Sequence, residues 1–204
     1  DLDRIDFKGI DRFKITGTKL DDRIQGWTYS DTLVGSDGDD TIYANDSTNP
    51  GNGKDSLDGG AGVDYLNADL SNKSSAIVLD NSKSQNMSLA DGTIYQNFEV
   101  FQDVKTGNGN DKVIQSSLIN NAAFRNNDSI STNDGNDTLN AGLGTLDSVN
   151  GGYGKDLLIV DYSQGDTGTG VYHILQGVDS SANSANGVWG YANRGYSDTD
   201  QTDL

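Results

Sequence analysis

GGAGVDYLN, residues 59–67, and GGYGKDLLI, residues 151–159, share one pattern, G-G-x-G-x-D-x-U-x, in which U is a large apolar residue. Read backwards from Gly59 in steps of nine, the same frame gives PGNGKDSLD (50–58). Across a six-residue insertion it then gives GSDGDDTIY (35–43), GWTYSDTLV (26–34) and GTKLDDRIQ (17–25). A second array starts at TGNGNDKVI (106–114) and passes a weak stretch, QSSLINNA. It continues through AFRNNDSIS (123–131), TNDGNDTLN (132–140) and the ten-residue AGLGTLDSVN (141–150) to residues 151–159. A fixed short period of this kind is the mark of a repeat architecture, in which one small unit is stacked many times.

Two columns carry the physics. The sixth places hold Asp22, Asp31, Asp40, Asp55 and Asp64 in the first array, and Asp111, Asp128, Asp137, Asp147 and Asp156 in the second. The eighth places hold Ile24, Leu33, Ile42, Leu57, Leu66, Val113, Ile130, Leu139, Val149 and Leu158, none of them polar. Each unit therefore reads as a six-residue loop, Gly-rich where the backbone turns with positive φ, followed by a three-residue strand whose middle side chain faces inward. Two units make one turn of a flattened coil, so the expected fold is all-β, a right-handed parallel β-roll. Units two apart then share an edge at the neighbouring-strand spacing of about 4.8 Å.

That stacking brings Asp carboxylates into a column of like charge, which a cation between successive loops would neutralise. Calcium fits because it takes about six to eight oxygens from carboxylates and carbonyls. The candidate ligands are the sixth-place Asp residues with the second- and fourth-place residues of the stronger loops. These are Ser36 and Gly38, Gly51 and Gly53, Gly60 and Gly62 in the first array. In the second they are Gly107 and Gly109, Asn133 and Gly135, Gly142 and Gly144, Gly152 and Gly154. The best sites are expected where strong loops stack, Asp40 with Asp64 and Asp137 with Asp156. Leu20, Tyr29 and Asn126 stand where the fourth-place Gly belongs, so their loops should make poorer sites.

Composition points the same way. Only 33% of the 204 residues are hydrophobic, thin material for a large core, so something besides apolar burial must hold the fold. The formal net charge of -17 argues against nucleic acid or an anionic membrane as partner and in favour of cations. Every acidic residue except Glu99 is Asp, whose short side chain suits tight loops. With no Cys, neither disulfides nor thiolate metal sites are available. No apolar run approaches the ~20 residues that span a bilayer, so no transmembrane segment is expected.

On these residues the chain resembles the repeats-in-toxin, or hemolysin-type, calcium-binding family, over most of 17–67 and 106–159. The resemblance implies a parallel β-roll with several Ca²⁺ ions between turns and disorder without calcium. It also implies export to the cell exterior, usually by type I secretion without an N-terminal signal.

Residues 68–105 contain no nonapeptide, but AIVLD (76–80) and DGTIYQNFEVF (91–101) read as strands of a linking β segment. DYLNADLS after the first array matches DLLIVDYS after the second, and FEVFQDVKTG before the second matches IDRFKITG before the first. On that longer register, residues 1–16 are the tail of one copy, 17–67 the first array, 68–105 the link, 106–159 the second array and 160–204 the start of a further copy, as in a fragment of a longer protein. The two arrays are expected to be separate cooperative units, because the link interrupts the loop columns.

The expectation is a non-enzymatic calcium-binding module of a larger secreted protein, serving structure, secretion or adhesion. The alternative is a β-solenoid that binds or modifies polysaccharide, with Trp27 and Trp189 as candidate sugar platforms. His173, the sole His, reads as a strand residue without a partner motif rather than a ligand or base.

Overall fold

The computed structural model describes residues 8–27, 29–45, 53–116, 128–142, 147–160, 171–174 and 191–194. Among these there is no helix, and almost every strand pairing is parallel. Gly51, Asn126, Gly144, Trp189, residues 1–7 and most of 160–204 lie outside the described residues.

Successive repeat strands alternate between sheets, as a two-strands-per-turn unit demands. One sheet holds β1 (Lys14–Thr16), β3 (Thr32–Asp37), β5 (Ser56–Ala61), β9 (Ile94–Gln96) and, antiparallel at its edge, β8 (Asn86–Ser88). The facing strands are β2 (Arg23–Gln25), β4 (Thr41–Asn45), β6 (Tyr65–Asp69), β10 (Val100–Lys105), β12 (Ser129–Ser131) and β15 (Ser148–Asn150), hydrogen-bonded in that order. A third sheet runs β7 (Val78–Asp80), β11 (Lys112–Ile114), β14 (Thr138–Asn140) and β17 (Leu157–Leu158). β13 (Asp134–Gly135) and β16 (Tyr153–Gly154) are loop residues that pair with one another. β18 (Val171–Ile174), which contains His173, pairs antiparallel with β19 (Tyr191–Arg194).

The registers keep the repeat frame. Ile24 lies opposite Ile42 and Ile42 opposite Leu66, while Leu33 lies opposite Leu57 and Val113 opposite Leu139. Same-type side chains thus stack in rows, and Leu33, Ile42, Leu57, Leu66, Val113, Ile130 and Leu139 are buried in one apolar cluster. Val149 packs against that cluster, whereas Leu158 is exposed on β17, the edge strand of its sheet.

The linking segment joins the two arrays in one sheet rather than only separating them. β10, supplied by the linking segment, pairs on one side with β6 of the first array and on the other with β12 of the second. One sheet therefore passes through both. The link also fills the core with Tyr95, Phe98 and Phe101, all fully buried beside the repeat residues. A register shift between Phe101 and Asp103 lets β10 serve both neighbours, Phe101 opposite Leu66 and Val104 opposite Ile130. The polar surface of the link is held by Lys73 with Asp91 at 2.6 Å and Lys112 with Asp80 at 2.5 Å.

Candidate metal centre

The sixth-place Asp residues form ladders along the edges. The backbone N–H of Asp22 donates to Asp40 Oδ1 at 2.7 Å, and that of Asp40 donates to Asp64 Oδ1 at 2.8 Å. On another edge Asp31 N–H donates to Asp55 Oδ1 at 2.8 Å. In the second array Asp111 N–H donates to Asp137 Oδ1 at 2.7 Å and Asp137 N–H to Asp156 Oδ1 at 3.0 Å. Asp128 N–H reaches Asp147 Oδ1 at 3.2 Å. Asp40, Asp55, Asp64, Asp137, Asp147 and Asp156 each thus spend one oxygen on the turn before, which ties the sixth places into phase across units.

The second oxygen distinguishes the loops. Asp22 Oδ2 accepts from Thr18 N–H at 2.5 Å, and Asp31 Oδ2 from Trp27 N–H at 2.8 Å. Asp111 Oδ2 accepts from the Thr106 hydroxyl, and Asp128 Oδ2 from Gln115 Nε2 at 2.8 Å. Asp40 Oδ2, Asp64 Oδ2 and Asp137 Oδ2 are buried and have no donor, as has Asp128 Oδ1. Near Asp137 the Thr132 hydroxyl faces the carbonyls of Asn150 and Gly151, at 3.5 and 3.3 Å. A buried carboxylate oxygen without a donor or a cation is costly, because burial removes its water and nothing replaces it.

Electrostatics follows from that burial. Desolvation pushes Asp64 up to about 7, opposed by the Asp40 N–H and reinforced by the charges of Glu99 and Asp40. Burial likewise raises Asp128 to about 7, against the Gln115 hydrogen bond. Asp40, Asp111 and Asp137 are also raised, burial being the largest cause in each.

Carbonyl oxygens supply the other half of the donor set. A Cβ on Gly60 would overlap the Ser36 carbonyl oxygen one turn away, and a Cβ on Gly62 the Gly38 carbonyl oxygen. Both glycines have positive φ, 111° and 144°, so neither the space nor the backbone admits a side chain. The second array repeats the arrangement: Gly135 faces the Gly109 carbonyl, Gly154 the Gly135 carbonyl and Gly152 the Asn133 carbonyl. At Gly35, Asp40 Oδ2 and the Gly59 carbonyl oxygen converge on the point a Cβ would fill. Gly107 faces the Lys73 carbonyl, outside any repeat, and Gly142 faces the Gln115 side chain. Gly53 and Asp55 are buried beside their own strand.

These loops fit calcium. They combine buried donor-free carboxylate oxygens with converging carbonyls, all hard oxygen donors. No three His, Cys, Asp or Glu side chains cluster as a metal site among the described residues, so carbonyls must complete any coordination shell. Reading the nonapeptides alone misses Glu99, whose Oε2 accepts from Asp64 N–H at 2.8 Å and so takes the rung beyond Asp64.

A protein-family description, RTX calcium-binding nonapeptide repeat, matches residues 16–49, 51–72 and 125–145 in four copies. The chain carries RTX calcium-binding nonapeptide repeats. RTX repeats bind calcium, and the matched segments contain Asp40, Asp64 and Asp137, the three Asp residues among those described with a buried donor-free Oδ2. Residues 106–114 and 151–159 lie outside the matched segments but keep the strand register of 132–140, since Lys112 pairs with Thr138 and Thr138 with Leu157. No curated protein and no solved structure matches the chain.

Proposed function

We propose that this chain is a calcium-dependent module of a larger secreted protein, a right-handed parallel β-roll that binds several Ca²⁺ ions between turns and serves structure, secretion or adhesion. The observation that carries this reading is the set of buried donor-free oxygens on Asp40, Asp64 and Asp137, each within a stack of loop carbonyls. The ion acts as the folding switch. At low calcium the charge of -17 and the desolvated carboxylates oppose compaction, and at high calcium ion binding selects the folded state by mass action. That difference suits a chain made inside the cell and used outside it. No helix among the described residues is long and apolar enough to cross a membrane. We assign the chain no reaction. Circular dichroism tests the reading: calcium should induce β-signal that chelator abolishes and magnesium does not restore, because Mg²⁺ retains its waters. Full β-signal in chelator would refute it.

A polysaccharide ligand is the second reading, favoured by Trp27 and Tyr29, which are 59% and 41% exposed close together in sequence. Exposed aromatic faces of this kind stack on apolar faces of sugars. Retention of the calcium-loaded protein on immobilised polysaccharides, lost on Trp27→Ala, would support it.

A further inference from the structure

We propose that Glu99, Asp64 and the Asn97 carbonyl form a further calcium site, closing the first edge column at a place where the chain has no nonapeptide. The proposal rests on the calcium reading above.

The backbone puts Glu99 in the sixth place of an absent repeat. Thr41 N–H donates to the Asp22 carbonyl at 2.8 Å and Tyr65 N–H to the Asp40 carbonyl at 2.7 Å; Val100 N–H donates to the Asp64 carbonyl at 3.0 Å in the same way. Val100 is therefore a seventh-place residue, and Glu99 precedes it where Asp40 and Asp64 precede theirs. The side chain keeps the pattern too, since Glu99 Oε2 accepts from Asp64 N–H at 2.8 Å as Asp64 Oδ1 accepts from Asp40 N–H.

Carbonyls repeat alongside. The Gly35 carbonyl oxygen occupies the space above Gly17, the Gly59 carbonyl that above Gly35, and the Asn97 carbonyl that above Gly59. Asn97 has φ 53°, the left-handed region used by turn residues. Between β9 and β10 the loop is only Asn97, Phe98 and Glu99, three residues where the repeat has six. The shortened loop explains why the chain's one Glu stands here: an extra methylene lets its carboxylate reach the rung.

What points to a ligand is Asp64 Oδ2. Asp64 is fully buried, and this oxygen has no hydrogen-bond donor, although it lies in the turn that Glu99 and Asn97 cover. No Lys or Arg forms an ion pair with Asp64 or Glu99 among the described residues. The Asn97 carbonyl oxygen and the Asp64 carboxyl group converge on the point a Cβ of Gly59 would fill, and with the Glu99 carboxylate on the next rung they offer the hard oxygens that Ca²⁺ takes.

Native mass spectrometry of the calcium-loaded chain tests the site by counting ions. Glu99→Gln keeps an oxygen to accept the Asp64 N–H but loses the charge, so the variant should hold one ion fewer while retaining its β-signal. An unchanged count and affinity in Glu99→Gln would leave Glu99 a cap and overturn the site. Should the variant fail to fold, anomalous diffraction from wild-type crystals grown in calcium decides. A peak between Asp64 and Glu99 supports the site; peaks elsewhere but none there refute it. Wild-type protein that binds no calcium would instead overturn the broader calcium reading.

Discussion

Asp40 N–H donates to Asp64 Oδ1 at 2.8 Å, while Asp64 Oδ2, buried beside it, has no donor. One oxygen of the carboxylate holds the turns in register and the other is left to a cation. In Asp111 both oxygens are engaged, Oδ1 by the Ile77 N–H and Oδ2 by the Thr106 hydroxyl. Asp64→Asn should therefore raise the calcium concentration at the folding midpoint roughly tenfold, equivalent to about 1.4 kcal/mol. Asp111→Asn should move it far less. Calcium titrations followed by circular dichroism compare them, and equal shifts would remove the distinction between filled and open carboxylates.

Protons should compete with calcium in a definite direction. Burial lifts Asp64 and Asp128 to about 7 in the metal-free fold, far above the ordinary 3.8. A raised folded-state value means that the fold binds its protons more tightly than the unfolded chain. Its contribution is fully present below about pH 4 and is lost as pH rises through about 7. Chelated protein should thus gain β-signal on acidification from about pH 8 to about pH 5, whereas its calcium midpoint should move to higher concentration, because the ion needs deprotonated carboxylates. Chelated protein with the same β-signal throughout that range would contradict the burial argument.

The loop column makes opposite predictions for two neighbouring positions. Ser36 holds φ 97° at a second place where Gly60 has φ 111°. A non-Gly residue there is strained, so Ser36→Gly should stabilise the calcium-loaded fold by about 1 kcal/mol, less any loss of the weak Ser36 hydroxyl bond to the Gly17 carbonyl. Gly60→Ala should destabilise it by at least about 2 kcal/mol, since its Cβ would overlap the Ser36 carbonyl as well as strain the backbone. Thermal melts at saturating calcium check both signs.

What the sequence made legible was whatever repeats at short range. The apolar eighth places and acidic sixth places recur every nine residues because one strand and one loop set both, and the pairing of Ile42 with Leu66 keeps that frame across the six-residue insertion. Glu99 was not legible. Its loop is shorter by three residues and has no Gly, so only the pairing of Val100 with Tyr65 reveals its phase. The shift between Phe101 and Asp103 likewise hides the link's second pairing from any count of nine.

Continuity through the link gives the last prediction. Phe101 is fully buried, stands opposite Leu66, and its N–H donates to Gln115 Oε1 at 2.5 Å. Gln115 in turn donates from Nε2 to Asp128 Oδ2 and to the Ala141 carbonyl at 3.0 Å, both in the second array. The Phe101 side chain thus packs in the shared core at the last strand of the first array, while its backbone N–H, through Gln115, is tied to the loops of the second. Phe101→Ala should cost about 3–5 kcal/mol through the cavity it leaves. Because β10 is the only strand joining β6 to β12 among the described residues, that cost should reach both arrays. Residue-resolved hydrogen exchange across a calcium titration reads the effect: protection around Leu66 and around Ile130 should be lost together, at a higher calcium concentration than in the wild type. Loss confined to the neighbourhood of Leu66, with Ile130 and Leu139 protected as before, would restore two independent arrays and reduce the pairing of β10 with β12 to a weak contact.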